Sequence, residues 1–317
     1  MADDEFTIID RYFSAIGWQS DHVALGPGDD CAVLRVPDGF ELCVSTDTLV
    51  SGVHFPKDCS GDMVARRSFA AAVSDLAAMG ASPYSFTGAL TLPGIDHGWL
   101  SKFSEELSRL SVDFEIPLVG GNLSRGPLTL TFTVMGLVPS GQALKRSGAN
   151  VGEDVYVTGY PGDAGAGLLL LEEAEGRFPS LLDAYQSPQP RIEVGEQLRL
   201  IASAVIDVSD GLLADLRHLT DSSEVGAKVD VNRIPVSAEM LLFASPDEAL
   251  SLALTAGDDY ELCFSANTSS RGQIEKLAVS TSVLITRIGS IVKTPGIALS
   301  GEGAGALDIE STGYQHF

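Results

Sequence analysis

The chain has 317 residues, with 43 Asp and Glu against 20 Lys and Arg, and a formal net charge of −23 at pH 7. Such an acidic balance excludes nucleic acid and anionic membrane as the main partner, because those surfaces are bound through basic patches. The length suggests about two domains of roughly 150 residues each, and a hydrophobic fraction of 44% is ample for sizeable cores.

The four cysteines, Cys31, Cys43, Cys59 and Cys263, lack C-x-x-C spacing. Three sit within or beside apolar runs, so they read as reduced, buried residues. The start, Met-Ala-Asp-Asp-Glu, lacks the basic and apolar regions of a signal peptide, and no apolar run reaches membrane-spanning length. A cytoplasmic location is expected.

Phe6, Ile9, Phe13 and Ile16 recur at spacings of three and four, which predicts an amphipathic helix over 5–16. Gly26-Pro27-Gly28 breaks the chain before Asp29 and Asp30. A strand is expected over 42–46, then a helix over 60–79 capped by Ser60 or Asp62 and stopped by Gly80. A strand at 86–92 precedes a long helix marked by Leu100, Phe103, Leu107 and Leu110. Residues 116–119 read as a short strand ending in Gly120-Gly121-Asn122, and 128–138 alternates as a strand most clearly of all. The polar connection 139–153 reads as the domain boundary, giving domains 1–148 and 149–317.

The second half opens with a strand at 155–158, then Gly159-x-x-Gly162-x-x-Gly165-Ala166-Gly167 and a helix starting at 168–173. A Pro-containing loop at 187–190 leads to a helix through Arg199. A strand end at 205–207 feeds Ser209-Asp210-Gly211 and a helix with Leu212, Leu216 and Leu219 on one face. Alternating segments near 227–231, 261–264 and 283–288 complete an α/β pattern. Two short echoes, Gly28-Asp29-Asp30 with Gly257-Asp258-Asp259 and Val73-Ser74-Asp75 with Val208-Ser209-Asp210, leave open a relation between the halves.

The chemistry lies in carboxylates set against apolar runs, where burial is costly unless the acid is paired, hydrogen-bonded or bound to a cation. Asp30, Asp47, Asp75, Asp207 and Asp210 come from separate elements with few Lys or Arg beside them, which suits several Mg²⁺ ions bridging to phosphate. Taken singly, each acid also suits a turn or a helix cap. Gly120-Gly121 allows close backbone approach of a phosphate or ribose. The Gly159–Gly165 run could present amides to an anion, or form a tight turn before a helix. Neither G-x-x-x-x-G-K-[ST] nor the protein-kinase signatures occur. Arg146 could complement phosphoryl charge or lie solvated in its loop. His54 could contact a ligand or be structural. The absence of a Ser-His-Asp or Cys-His arrangement agrees with phosphoryl transfer, which needs no protein nucleophile.

Gly28-Asp29-Asp30-Cys31-Ala32-Val33-Leu34, Ser45-Thr46-Asp47-Thr48-Leu49-Val50, His54-Phe55, Ser74-Asp75-Leu76-Ala77-Ala78-Met79-Gly80-Ala81, Arg146-Ser147-Gly148-Ala149, Asp207-Val208-Ser209-Asp210-Gly211-Leu212 and Gly257-Asp258-Asp259-Tyr260-Glu261-Leu262 closely resemble the thiamine-monophosphate kinase family. The likeness runs in order from Phe6 to Phe317. It implies a fold shared with aminoimidazole ribonucleotide synthetase and selenophosphate synthetase: two α/β domains, the first pairing with its twin into a dimeric, barrel-like sheet. It also implies a homodimer that phosphorylates thiamine monophosphate to thiamine diphosphate by direct in-line transfer from ATP.

By the same resemblance, Asp30, Ser45, Thr46, Asp47, Asp75, Asp207 and Asp210 are the expected Mg²⁺ ligands. Gly121, Arg146 and Ser209 are the expected ATP contacts, and His54, Asp258 and Tyr314 the expected thiamine-phosphate contacts. Asp47, Asp75, Arg146 and Asp210 are the expected catalytic set.

Three departures from the family pattern stand out. Asn122 occupies a position where an Asp metal ligand is usual; its carbonyl can still meet Mg²⁺ and the ATP bound through it, with one negative charge fewer. Ala72-Val73 precedes Ser74-Asp75 where Asn-Leu is usual. Asp258 is a shorter acid than the usual Glu. Other readings are a different ATP-dependent synthetase of the same superfamily, or a binding protein that has lost catalysis. Against the selenophosphate type stands the lack of a reactive Cys or selenocysteine in an N-terminal Gly-rich loop.

Overall fold

A computed structural model describes residues 4–14, 16–17, 20–171 and 177–302. The chain divides into two compact units, Met1–Leu76 with Ala81–Gly141, and Ala77–Gly80 with Gln142–Phe317.

In the first unit α1 spans Glu5–Tyr12, capped by the Asp4 carboxylate on the Thr7 amide. It stops four residues short of the predicted end. The short strands β1 (Val23–Leu25) and β2 (Val33–Leu34) pair as a small ribbon. Then follow β3 (Phe40–Val50), α2 (Gly61–Ala78), β4 (Ser82–Leu92), α3 (His97–Asp113), β5 (Leu118–Arg125) and β6 (Thr129–Pro139). Their four-stranded sheet has the order β3-β6-β4-β5, antiparallel except for the β4–β5 pair.

Period-two alternation decides what each face carries. Leu130, Phe132 and Val134 of β6 and Phe86, Leu90 and Leu92 of β4 are buried on the face that takes the helices. Phe69 of α2 meets Phe86 edge to face at 5.8 Å, and Phe86 meets Phe132 at 5.6 Å. Such edge-on pairs add to the area they bury. The opposite face carries exposed Phe40, Leu42 and Val44, and hydroxyl pairs Thr46–Thr133 and Thr48–Thr131, each at 2.9 Å.

The second unit contains β7 (Asp154–Thr158), α4 (Asp163–Leu171), α5 (Pro179–Gln186), α6 (Ile192–Leu198), β8 (Ala202–Val208), α7 (Leu212–Ser222), β9 (Gly226–Asp230), α8 (Ala238–Phe243), α9 (Pro246–Thr255), β10 (Glu261–Ala266), α10 (Arg271–Thr281), β11 (Ile285–Val292) and β12 (Gly296–Ser300). The sheet order is β12-β9-β11-β7-β10-β8. Leu212, Leu213, Leu216 and Leu219 of α7 join one core with Val155, Val157, Ile206 and Val208. Val194 and Leu198 of α6, with Ile274 and Leu277 of α10, join a second with Tyr156, Val205 and Phe264.

The structure differs from expectation in further places. The strand predicted over 42–46 continues through Asp47 to Val50, so that acid sits within β3. The helix starts at Asp163, earlier than expected, so Gly165 and Gly167 lie inside α4 while Gly159 and Gly162 precede it. There a Cβ on Gly167 would stand 2.0 Å from the Leu181 carbonyl, so α4 packs on α5 at a distance only glycine permits. All four cysteines are free, but only Cys263 is buried; Cys31 is exposed because its apolar run enters the small ribbon instead of a core. The echo of Val73-Ser74-Asp75 with Val208-Ser209-Asp210 is one of sequence alone, since Asp75 lies within α2 and Asp210 in the loop after β8.

Candidate active site

The first unit gathers Ser45, Asp47 and Asp75. Alternation puts Ser45 and Asp47 on the helix-covered face of β3, and the Ser45 hydroxyl donates to Asp75 Oδ2 on α2. Burial first, and the charge of Asp75 second, push the Asp47 carboxyl up to about 6. Two carboxylates and a hydroxyl are hard oxygen donors, the set that suits Mg²⁺, and a cation there would relieve both causes of that shift. Thr46 points to the other face, where its hydroxyl pairs with that of Thr133.

His54 follows in a tight loop. Its Nδ1 accepts the Val50 amide at 2.9 Å, and its carbonyl accepts from the buried Arg67 guanidinium at 3.2 Å. The first orients the imidazole ring and the second fixes the backbone that carries it. Gly121 pairs with Gly88 and Asn122 with Ala89 on the edge strand β5. These residues line a cavity of about 840 Å³ together with Gly28, Asp29, Asp30 and the apolar side chains of Phe6, Ile9, Phe13, Phe103 and Leu107. Asp30 is exposed there, its amide turned onto Asp29 Oδ1 at 2.8 Å.

The second unit gathers Asp207, Ser209, Asp210 and Asp258. Asp207 is buried at the end of β8, and Ser209 and Asp210 begin the loop to α7. That loop is held by a residue the motif reading missed: one oxygen of Asp215 accepts the amides of Ser209, Asp210 and Gly211 at 3.0, 3.0 and 3.2 Å. Burial, then the charge of Asp210, raises the Asp215 carboxyl to about 7 despite those three donors.

Asp258 donates its amide to the Ser209 carbonyl at 2.8 Å, so the turn carrying it is tied to the same loop. Gly257 lies against it, where a Cβ would stand 2.3 Å from the Ser209 carbonyl. Arg146 is exposed, and its carbonyl accepts the Ser223 hydroxyl at 3.2 Å.

Of the two readings of the Gly159–Gly165 run, a turn before a helix and an anion site, the structure shows both: the run ends in α4 and its amides meet an acid of the chain itself. Asp259 accepts the Gly162 amide at 2.7 Å and the Ala164 amide at 3.2 Å, and burial raises its carboxyl well above the usual range. Nearby, Glu261 forms a two-pronged pair with Arg191 at 2.7 and 2.5 Å and accepts the Thr158 hydroxyl at 2.5 Å. Tyr314 lies outside the described residues. Among the described residues no three His, Cys, Asp or Glu side chains converge as a metal cluster, and no helix is long and apolar enough to cross a membrane.

Residues 28–138 match the model of "AIR synthase related protein, N-terminal domain". The thiamine-monophosphate kinase of Salmonella typhimurium strain LT2 is 42% identical over 100% of this chain and 99% of its own length. The Escherichia coli K12 protein of the same name is 41% identical with the same coverage. Among solved structures, the thiamine-monophosphate kinase of Stenotrophomonas maltophilia K279a superposes with a TM-score of 0.88 at 40% identity, covering 95% of this chain and 98% of its own. AaThiL complexed with AMPPCP and TMP superposes with a TM-score of 0.80 at 26% identity, covering 99% and 97%. The chain belongs to the thiamine-monophosphate kinase family and is an enzyme of the kinase class.

Proposed function

We propose that the protein transfers the γ-phosphoryl group of ATP to thiamine monophosphate, giving thiamine diphosphate and ADP, with Mg²⁺ held by its acidic loops. The observation that carries this reading is the Ser45–Asp47–Asp75 grouping in a chain that aligns end to end with thiamine-monophosphate kinases.

Asp47 and Asp75, with Asp30, Ser45 and Asn122, and with Thr46 through its backbone because its hydroxyl lies on the other face, are assigned to Mg²⁺ in the first unit, and Asp207 and Asp210 to Mg²⁺ in the second. Bound Mg²⁺ would neutralise phosphate charge as it develops. Ser209 and Gly121 offer backbone and hydroxyl contacts to ATP. The cavity beside Gly121 suits its base, because Phe13, Phe103 and Leu107 give apolar faces next to the glycine backbone. Arg146, exposed and unencumbered by burial, supplies positive charge to the transferring group. His54, Asp258 and Tyr314 are assigned to the thiamine phosphate. Asp215 and Asp259 act earlier, by fixing the loops that carry Ser209, Asp210 and Asp258.

We further propose a cytoplasmic homodimer formed through the sheet face that exposes Phe40, Leu42 and Val44, an apolar stripe that costs free energy in water.

The test is chromatography of purified protein mixed with thiamine monophosphate, ATP and increasing Mg²⁺. Equal amounts of ADP and thiamine diphosphate, absent without Mg²⁺, are expected. ATP binding with no thiamine diphosphate at any Mg²⁺ concentration would instead favour a binding protein that has lost catalysis, with Asn122 the first residue to revert.

A further inference from the structure

The turn between α9 and β10 carries two non-glycine residues with left-handed backbone, Asp258 at φ +70° and Tyr260 at φ +52°. Such backbone is disfavoured for any residue with a Cβ, and it persists only where its surroundings hold it. Three contacts do so. The Asp258 amide donates to the Ser209 carbonyl and the Tyr260 amide to the Val208 carbonyl, both at 2.8 Å. Between them, the Asp259 carboxylate turns the other way onto the amides of Gly162 and Ala164.

One consequence of this conformation is that residues 258 and 260 turn their side chains toward each other. The Tyr260 ring is buried, and its hydroxyl donates to Asp258 Oδ1 at 3.1 Å. A carboxylate that is half-buried and tethered on one oxygen has a fixed direction for the other.

We propose that Tyr260 is a positioning residue for acceptor recognition: its hydroxyl orients the Asp258 carboxylate toward the cationic thiazolium and amino-bearing end of the acceptor. The inference rests on the reading of thiamine monophosphate as that acceptor. It assigns Tyr260 no contact with ATP and none with metal, so the effect of its hydroxyl falls on one substrate alone.

The experiment compares the full chain with Tyr260→Phe, Asp258→Asn and the double variant, measuring KM for each substrate, kcat and melting temperature. Loss of a hydrogen bond to a charged group predicts a KM for thiamine monophosphate raised about 10-fold in Tyr260→Phe. The KM for ATP, kcat and melting temperature should stay at parental values. In the Asp258→Asn background the same change should add little, because the group it orients is already altered.

An unchanged KM for thiamine monophosphate in an active variant overturns the proposal, as does a full additive effect in the double variant. So does a rise of both KM values together with a lower melting temperature, the pattern of a purely structural residue. A parent protein that neither converts nor binds thiamine monophosphate in calorimetry would instead defeat the acceptor reading, and the proposal with it.

Discussion

At the scale of single residues the site is governed by like charges held close together. Asp47 is raised to about 6 by burial and by Asp75. Relative to an ordinary carboxyl, its ionised form at pH 8 therefore costs the fold on the order of 3 kcal/mol. Asp47→Asn removes that cost and a metal donor at once. It is expected to raise the melting temperature at pH 8 in EDTA while lowering Mg²⁺-dependent turnover by about 100-fold or more. A variant less stable than the parent under those conditions would contradict the charge argument. Asn122 poses the reverse case. Asn122→Asp restores one negative charge at a cavity wall beside Asp30, so the Mg²⁺ concentration for half-maximal turnover should fall. Unchanged Mg²⁺ dependence would show that residue 122 does not meet the metal.

At the scale of elements, acids serve as braces between loops. Asp215 ties the loop after β8 to α7 through three amides, and Asp259 ties the turn before β10 to the start of α4. Asp215→Ala would leave three donors without their acceptor and should destabilise the protein by about 2–4 kcal/mol, read as a lower denaturant midpoint. Asp215→Asn keeps an acceptor oxygen and should recover most of that loss.

The contiguous motifs were legible in the sequence because strand, acid and glycine stand side by side, as at Ser45-Thr46-Asp47 and Asp207-Val208-Ser209-Asp210. The Asp259 brace was not, because Asp259 and Gly162 are 97 positions apart and nothing local marks their pairing; the Asp215 brace is local, four to six residues from its partners, but an acid one turn into a helix is too common a feature to stand out. The same distance to Asp259 left the Gly159–Gly165 run open between an anion site and a tight turn before a helix. Its glycines serve close helix packing, and the anion is Asp259. Strand length was underread at β3, where polar Ser45 and Asp47 occupy inward positions that an apolar pattern would fill.

At the scale of the whole molecule the raised acids act together. Asp47 and Asp163 titrate near 6 and Asp215 near 7, and Asp259 is raised further, burial being the first cause in each. In the unfolded chain such groups ionise near pH 4, so between about pH 4 and 7 the folded protein binds more protons than the unfolded one. Stability should therefore fall as pH rises through that window. The net charge of −23 at pH 7 adds repulsion in the same direction. Denaturant midpoints in EDTA between pH 4.5 and 8 check this; a midpoint that climbs with pH would contradict it. Added Mg²⁺ should flatten the decline, since it favours ionised Asp47.

The two-domain α/β plan could be read from strand and helix periodicity. The sheet orders could not, because β12 and the ribbon of β1 and β2 leave only weak local patterns.

Direct phosphoryl transfer is tested most plainly by tracing the label from γ-³²P ATP in the presence of thiamine monophosphate and Mg²⁺. Label confined to the terminal phosphate of thiamine diphosphate is predicted, in an amount equal to the ADP formed. Label released as inorganic phosphate, with thiamine monophosphate unchanged, would contradict the account.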